Sequence, residues 1–170
     1  MENRLPITRL SKFLSNDDFD LNIQMGQEYL HGDIDIKLVL YSVDITKTST
    51  DNVYAQTIKD NIVFHQPVEF NGTVKIEQPK NATYNAGFNR YNEPGNLIVS
   101  VYINHLKDLG IDIKYGDYIG FAESETKLRF YSVANDGKIV SDNSHNMLGL
   151  RPFYRTITCV PAQESEFRGI

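Results

Sequence analysis

Histidine, cysteine and carboxylate side chains are the groups in this chain that could do chemistry, and their spacing argues against most of it. The four histidines are His31, His65, His105 and His145, separated by 34, 40 and 40 residues. None has a second His or a Cys at metal-ligand spacing, and a metal site needs several ligands converging. His145 sits in Asn143-Ser144-His145-Asn146, which reads as turn chemistry. The one cysteine, Cys159, lies in the alternating run Thr156-Ile157-Thr158-Cys159-Val160 and is expected to be a buried core thiol. A single Cys excludes an intrachain disulfide. Asp33 and Asp35 would share a face if they lay on a strand, which leaves a hydrolase with a paired carboxylate as one class to weigh. Solvated strand faces carry such pairs routinely. Asp51, Asp60 and Asp117 do not have calcium-loop spacing. There is no Gly-x-Ser-x-Gly elbow, and the stretch from Gly87 to Gly95 holds neither a phosphate loop nor a dinucleotide fingerprint. The expectation is no enzyme, no cofactor and no metal.

The elements that would position these residues are mostly strands. Ile34, Ile36, Leu38 and Leu40 alternate with Asp35, Lys37, Val39 and Tyr41, so one face is apolar and the second becomes apolar halfway along, which predicts a long strand entering a core. Phe19, Leu21, Ile23 and Met25 alternate as well and favour a strand, although Gln24 to Leu30 could equally make a helical turn. Ser15-Asn16-Asp17-Asp18 offers helix N-caps. Pro67-Val68-Glu69-Phe70, Asn71-Gly72 and Thr73-Val74-Lys75-Ile76 read as a hairpin, because Asn-Gly suits the positive φ values of a type I′ turn. A second hairpin is expected from Leu128–Val133 through Asn135-Asp136-Gly137 to Lys138-Ile139-Val140. Further strands are expected at Leu97–Ile103, Tyr118–Phe121 and Pro152–Val160, with one helical turn from His105 to Leu109 that Gly110 ends. Residues 44–60, 80–96 and 141–150 read as loops.

These signals predict a mainly β fold: a small β-barrel or sandwich with long loops, one or two short helices and extended terminal arms. The expected organisation is an N-terminal arm over 1–18, one β-rich domain over 19–160 and a C-terminal tail over 161–170. The chain has 170 residues, 41% of them hydrophobic, and a net charge of −5, which suits a globular domain. The acidic balance disfavours specific nucleic-acid binding, which needs surplus Lys and Arg. No apolar run approaches the ~20 residues that span a membrane, and no apolar signal segment opens the chain, so synthesis in a cytoplasm is expected. The sequons at Asn71 and Asn81 then have no role. What remains is binding. Tyr54 in one loop and Tyr84, Phe88 and Tyr91 in another, with Arg90 and Arg151, are candidate protein-interface residues, since Tyr and Arg anchor interfaces.

Three stretches carry a resemblance. They are Leu38-Val39-Leu40-Tyr41-Ser42-Val43-Asp44 leading to Asp51-Asn52-Val53-Tyr54-Ala55-Gln56, Gly95-Asn96-Leu97 through Tyr115-Gly116-Asp117-Tyr118-Ile119-Gly120-Phe121, and Arg155-Thr156-Ile157 through Glu166-Phe167-Arg168-Gly169. Together they resemble virion structural proteins of large tailed bacteriophages and are more distantly similar to the neck proteins of contractile-tailed phages. That family has an Asp-x-Leu-Tyr/Phe-Gly-Glu segment after a strand. Here Asp51 to Gln56 stands in its place, with Ala55 and Gln56 where the family has Gly and Glu. Gly116-Asp117 and Phe130-Tyr131 match a later part of the pattern. The resemblance implies a non-enzymatic head-to-tail connector subunit of the virion, made in a bacterial cytoplasm. Its partners would be portal-side and tail-side rings, its homo-oligomer a hexamer or dodecamer, and DNA would pass through the bore. A tail-completion or terminator ring protein is the near alternative. A carbohydrate- or receptor-binding β module is the more distant one.

Overall fold

The computed structural model describes residues 15–48, 50–51, 56–57, 62–78, 80–84, 89–93, 95–124, 127–138, 147–148 and 151–162. A helix, α1 (Asn16–Glu28), opens the described chain and runs into a π-helical segment, Tyr29–Ile34. Strands β1 (Lys37–Tyr41), β2 (Thr50–Asp51), β3 (Gln56–Thr57), β4 (Val68–Asn71), β5 (Thr73–Ile76), β6 (Lys80–Tyr84), β7 (Asn89–Glu93) and β8 (Leu97–Tyr102) follow. After a short helix, α2 (Ile103–Asp108), come β9 (Tyr118–Ser124), β10 (Lys127–Asn135), β11 (Met147–Leu148), β12 (Arg151–Pro152) and β13 (Tyr154–Pro161).

Among the described residues, seven strands form one antiparallel sheet in the order β4-β1-β9-β10-β13-β8-β5. The mainly β expectation holds at that level. Alternation sets the buried face: Leu38 and Leu40 on β1, Leu97, Val99 and Val101 on β8, and Ile157 and Cys159 on β13 join Phe70, Ile119, Tyr131 and Val133. Leu106 of α2 and Ile113 close this core. Cys159 is fully buried, as expected, and burial pushes its thiol up to about 12, so it stays protonated and inert.

The first correction concerns residues 19–25, which form a helix and not a strand. Ser15 and Asp18 make a reciprocal capping box: the Asp18 N–H donates to Ser15 Oγ at 3.2 Å, and the Ser15 N–H donates to Asp18 Oδ2 at 2.9 Å. Asp17 and Asp18 also place negative charge on the first turn, where the helix dipole favours it. The alternation of Phe19, Leu21, Ile23 and Met25 is two helical stripes interleaved. Phe19 and Ile23 are buried, whereas Leu21 and Met25 are exposed. Period 2 over four residues and paired i, i+4 contacts are the same pattern. The helix takes in residues 16–18, which the sequence reading assigned to an arm. Ile34 ends the π-helical segment and does not begin β1, and Asp35 stops the segment in a left-handed conformation (φ 42°).

The second correction concerns Asn71-Gly72. Strand β4 pairs with β1 and β5 pairs with β8, so the two strands flanking Gly72 do not pair with each other. Neither Asn71 nor Gly72 has a positive φ. Position 72 is a close approach: a Cβ there would meet the Ser100 carbonyl oxygen tightly, at 3.1 Å, and Leu38 Cδ1 at 3.4 Å. Residues 68–76 are thus one stretch whose first half lies on one edge of the sheet and whose second half lies on the other.

The Asn135-Asp136-Gly137 turn is present, with Gly137 at φ 63° and its N–H donating to Asn135 Oδ1. However, β10 pairs with β9 and β13, and Ile139 and Val140 lie outside the described residues. Two of the segments read as loops hold small hairpins, β2–β3 and β6–β7, and the third holds β11, which pairs with β12 just beyond it. Lys80-Asn81-Ala82-Thr83-Tyr84 has no apolar alternation, which is why periodicity overlooks it. Asn104 lies inside α2, whose cap position is Tyr102. Gly110, with φ 67°, ends it as expected.

Candidate functional site

Two regions gather polar or aromatic side chains from distant parts of the chain. The first is a cavity of about 570 Å³ beside the ends of β1 and β9, with Val43, His65, Lys114 and Asp117 in its lining. Its carboxylates are already engaged. Asp117 is buried, with Oδ1 accepting the Val43 N–H at 3.0 Å and Oδ2 accepting the Lys114 N–H at 2.8 Å. Burial nevertheless pushes its carboxyl above the ordinary range. Asp44 is held down to about 2, first by the Thr46 hydroxyl and then by the Thr46 N–H, Lys47 and His65, against the opposing effect of burial. Arg155 is buried close by. It donates from Nε to the Asp136 carbonyl (3.0 Å), from Nη1 to Asp112 (2.8 Å) and from Nη2 to the Ile113 carbonyl (2.8 Å). Burial raises the Asp112 carboxyl, but Arg155 and Lys138 outweigh it and leave it below its usual range. Asp117 and Arg155 fasten loops to the sheet, Asp44 closes its own turn on Thr46 and Lys47, and the geometry is that of structural clamps.

Asp33 and Asp35 do not share a strand face. Asp33 lies in the π-helical segment, while Asp35 follows it and accepts from Asn71 Nδ2 at 3.1 Å. His31 and His105, 74 residues apart in sequence, meet edge to face with ring centroids 4.6 Å apart. His105 Nε2 accepts the Asn71 N–H at 3.2 Å, which requires the neutral ring. Burial and then His31 lower its proton affinity, against Asp108. Among the described residues, no three His, Cys, Asp or Glu side chains gather as a metal site requires.

The second region is an exposed apolar row on α1 beside an aromatic groove. Helix α1 lies on the body through Phe19 and Ile23, with Leu30 just beyond its end, and Gly26 is where it passes closest to Tyr102. Its outward side carries Leu21, Met25 and Tyr29, which are 55%, 61% and 56% exposed at i, i+4 and i+8. Tyr29 borders an apolar groove of about 340 Å³ that continues onto Tyr102, Phe153 and Tyr154. The Phe153 and Tyr154 rings meet edge to face at 4.6 Å. Burial and then Tyr154 raise the Tyr102 hydroxyl above its ordinary value, so it remains protonated and polar at the groove wall. The surroundings are acidic. Residues 15–36 contain six carboxylates, Asp17, Asp18, Asp20, Glu28, Asp33 and Asp35, and no Lys or Arg. An exposed apolar row beside an aromatic groove suits recognition of another polypeptide.

The interface candidates from sequence fall elsewhere. Tyr54 and Phe88 lie outside the described residues. Tyr84, Arg90 and Tyr91 lie on the β6–β7 hairpin, where Ala82 pairs with Tyr91, Thr83 with Arg90 and Tyr84 with Asn89. Arg151 pairs with Leu148 across β11–β12. Sequence reasoning passed over Leu21, Met25 and Tyr29. The signal was their spacing of four, read together with the capping box at Ser15.

No family model, curated protein or solved structure matches this chain. No helix among the described residues is long and apolar enough to cross a membrane.

Proposed function

We propose that this chain is a non-catalytic structural subunit that works by binding other proteins in an assembly, and that the assembly is the neck of a tailed-phage virion. The exposed row on α1 carries the first half of the reading. Leu21, Met25 and Tyr29 project from a helix whose opposite side is anchored in the body, so they are held rigidly for a partner to meet. Asp117 and Asp112 at the cavity of about 570 Å³, and Arg155 close by, are tied up in structural hydrogen bonds, which favours binding over catalysis there. The resemblance in the β1, β8–β9 and β13 stretches supplies the second half: a head-to-tail connector ring between portal-side and tail-side rings. An acidic subunit suits a bore that DNA must traverse without being gripped.

The sheet fits a small barrel. One segment, 68–76, occupies both edges, and Gly72 brings it against Ser100 and Leu38. The edge strands β4 and β5 are only four residues each, which leaves no long open strand for unwanted pairing in a crowded particle.

Peptide mass spectrometry of purified virions from a culture that produces the chain is the decisive measurement. The chain should be found in intact particles in a fixed copy number that fits a ring. Its absence from the particles overturns the reading.

A further inference from the structure

The exposed row on α1 has a chemistry that specifies its complement. Three apolar side chains at i, i+4 and i+8 need apolar side chains opposite them. The carboxylates of Asp17, Asp20 and Glu28, exposed on the same helix, need Lys or Arg. A second α1 does not fit, because two such helices would bring like charges together with no cation between residues 15 and 36 of either copy. One stretch of this chain has the required composition. Residues 1–14 hold Leu5, Ile7, Leu10, Phe13 and Leu14 among Arg4, Arg9 and Lys12, with Glu2 as their lone acid.

We propose that residues 1–14 of one copy dock on the Leu21–Met25–Tyr29 row of a neighbouring copy. Reach is sufficient, since fourteen residues extend to roughly 45 Å and a thirteen-residue helix is about 20 Å long. The entry of the chain into α1 favours the neighbour over the chain's own helix. Ser15 is extended (φ −80°, ψ 170°), and the sequence places Leu14 and Phe19 at the two positions of a hydrophobic staple. Phe19 is buried, so a chain in which Leu14 packed on Phe19 would enter α1 on the side away from the exposed row. At about 100° per residue, Leu21, Met25 and Tyr29 lie roughly 200–280° around the helix from Phe19. Handing an arm from one copy to the next is a head-to-tail contact, which closes into a ring when the rotation permits. The proposal deepens the assembly reading above and rests on it only in requiring several copies together.

The test uses the full chain. The triple substitution Arg4→Glu, Arg9→Glu and Lys12→Glu should raise the concentration for half-assembly at least about tenfold by analytical ultracentrifugation, with an unchanged circular dichroism spectrum. Adding Asp17→Lys, Asp20→Lys and Glu28→Lys should restore assembly, an outcome that a general loss of folding cannot produce. Oxidation of a Leu10→Cys, Met25→Cys variant should give disulfides between two chains, Cys159 being buried and inert. Disulfides confined within single chains, or assembly indifferent to the charge reversal, overturn the proposal. A chain that is monomeric at every concentration overturns it too. None of these results bears on whether the chain is found in virions, so the two readings fail separately.

Discussion

At the scale of single residues, polar side chains fasten this protein together at points that the spacing of charges in sequence does not reveal. Asp117 accepts two backbone N–H groups from segments 74 and 3 residues away. Removing it in Asp117→Ala orphans both donors, and a buried unpaired donor costs about 1–3 kcal/mol. A loss of about 3 kcal/mol is expected in urea unfolding, with a smaller loss for Asp117→Asn, which keeps one acceptor oxygen. Arg155 is a second such point. In Arg155→Lys a single ammonium replaces a fork that reaches Asp136, Asp112 and Ile113 together. The expected cost is about 2–3 kcal/mol in the same measurement, with faster amide exchange around Asp136. His105 gives a pH dependence. Its folded-state pKa lies below the ordinary value near 6.5, so its contribution is complete above that value. It is lost as pH falls through about 6.5 and on through the lowered folded value, because the unfolded chain takes up the proton first. Thermal unfolding followed from pH 8 to pH 5 should show this fall, and His105→Leu should flatten it.

At the scale of elements, α1 shows what a pattern can and cannot say. Its start was legible, because Ser15 and Asp18 form the capping box that the Ser-Asn-Asp-Asp run offers. Its body was not, because two i, i+4 stripes interleave into an alternation that imitates a strand. The core strands β1, β8 and β13 were legible because apolar residues recur at every second position on the buried face, Arg155 at the start of β13 excepted. The β9–β10 hairpin was obscured. Its strands flank Glu125-Thr126, which carry none of the Gly or Asn chemistry that marks a tight turn. The groove beside α1 was hidden for a related reason, since Tyr29, Tyr102 and Phe153 line it from distant parts of the chain. Gly26 tests the placement of α1 beside Tyr102. In an exposed helix interior, Gly→Ala stabilises by about 1 kcal/mol. Here the added methyl runs into the Tyr102 hydroxyl and ring, so Gly26→Ala should instead destabilise the protein. The double variant with Tyr102→Leu should recover the loss. Stabilisation by Gly26→Ala alone would show that α1 does not lie against Tyr102.

At the scale of the whole molecule, the most consequential feature is that residues 68–76 serve both edges of the main sheet. Its two halves pair with β1 and β8, strands that stand at opposite ends of the order β1-β9-β10-β13-β8. An Asn-Gly pair between two apolar runs announces a local hairpin, yet the same residues here make two long-range pairings, and Gly72 permits both by its lack of a side chain. This ties the edges together in a way that an ordinary open sheet lacks. A substitution in the middle of the order, at Val133 for example, should lower stability mainly through its own packing. Gly72→Val should act on both edges at once. Its branched side chain would press on the Ser100 carbonyl and on Leu38, which belong to the two strands that the segment bridges. Overpacking of this kind costs about 1–3 kcal/mol. The more telling readout is where the loss appears: hydrogen exchange should accelerate together in β1, β4, β5 and β8, while β10 stays protected at the level set by global stability. Acceleration limited to β4 and β5 would mean that they form an isolated flap. Concerted acceleration of all four strands would mean that one glycine holds both edges of the sheet in place.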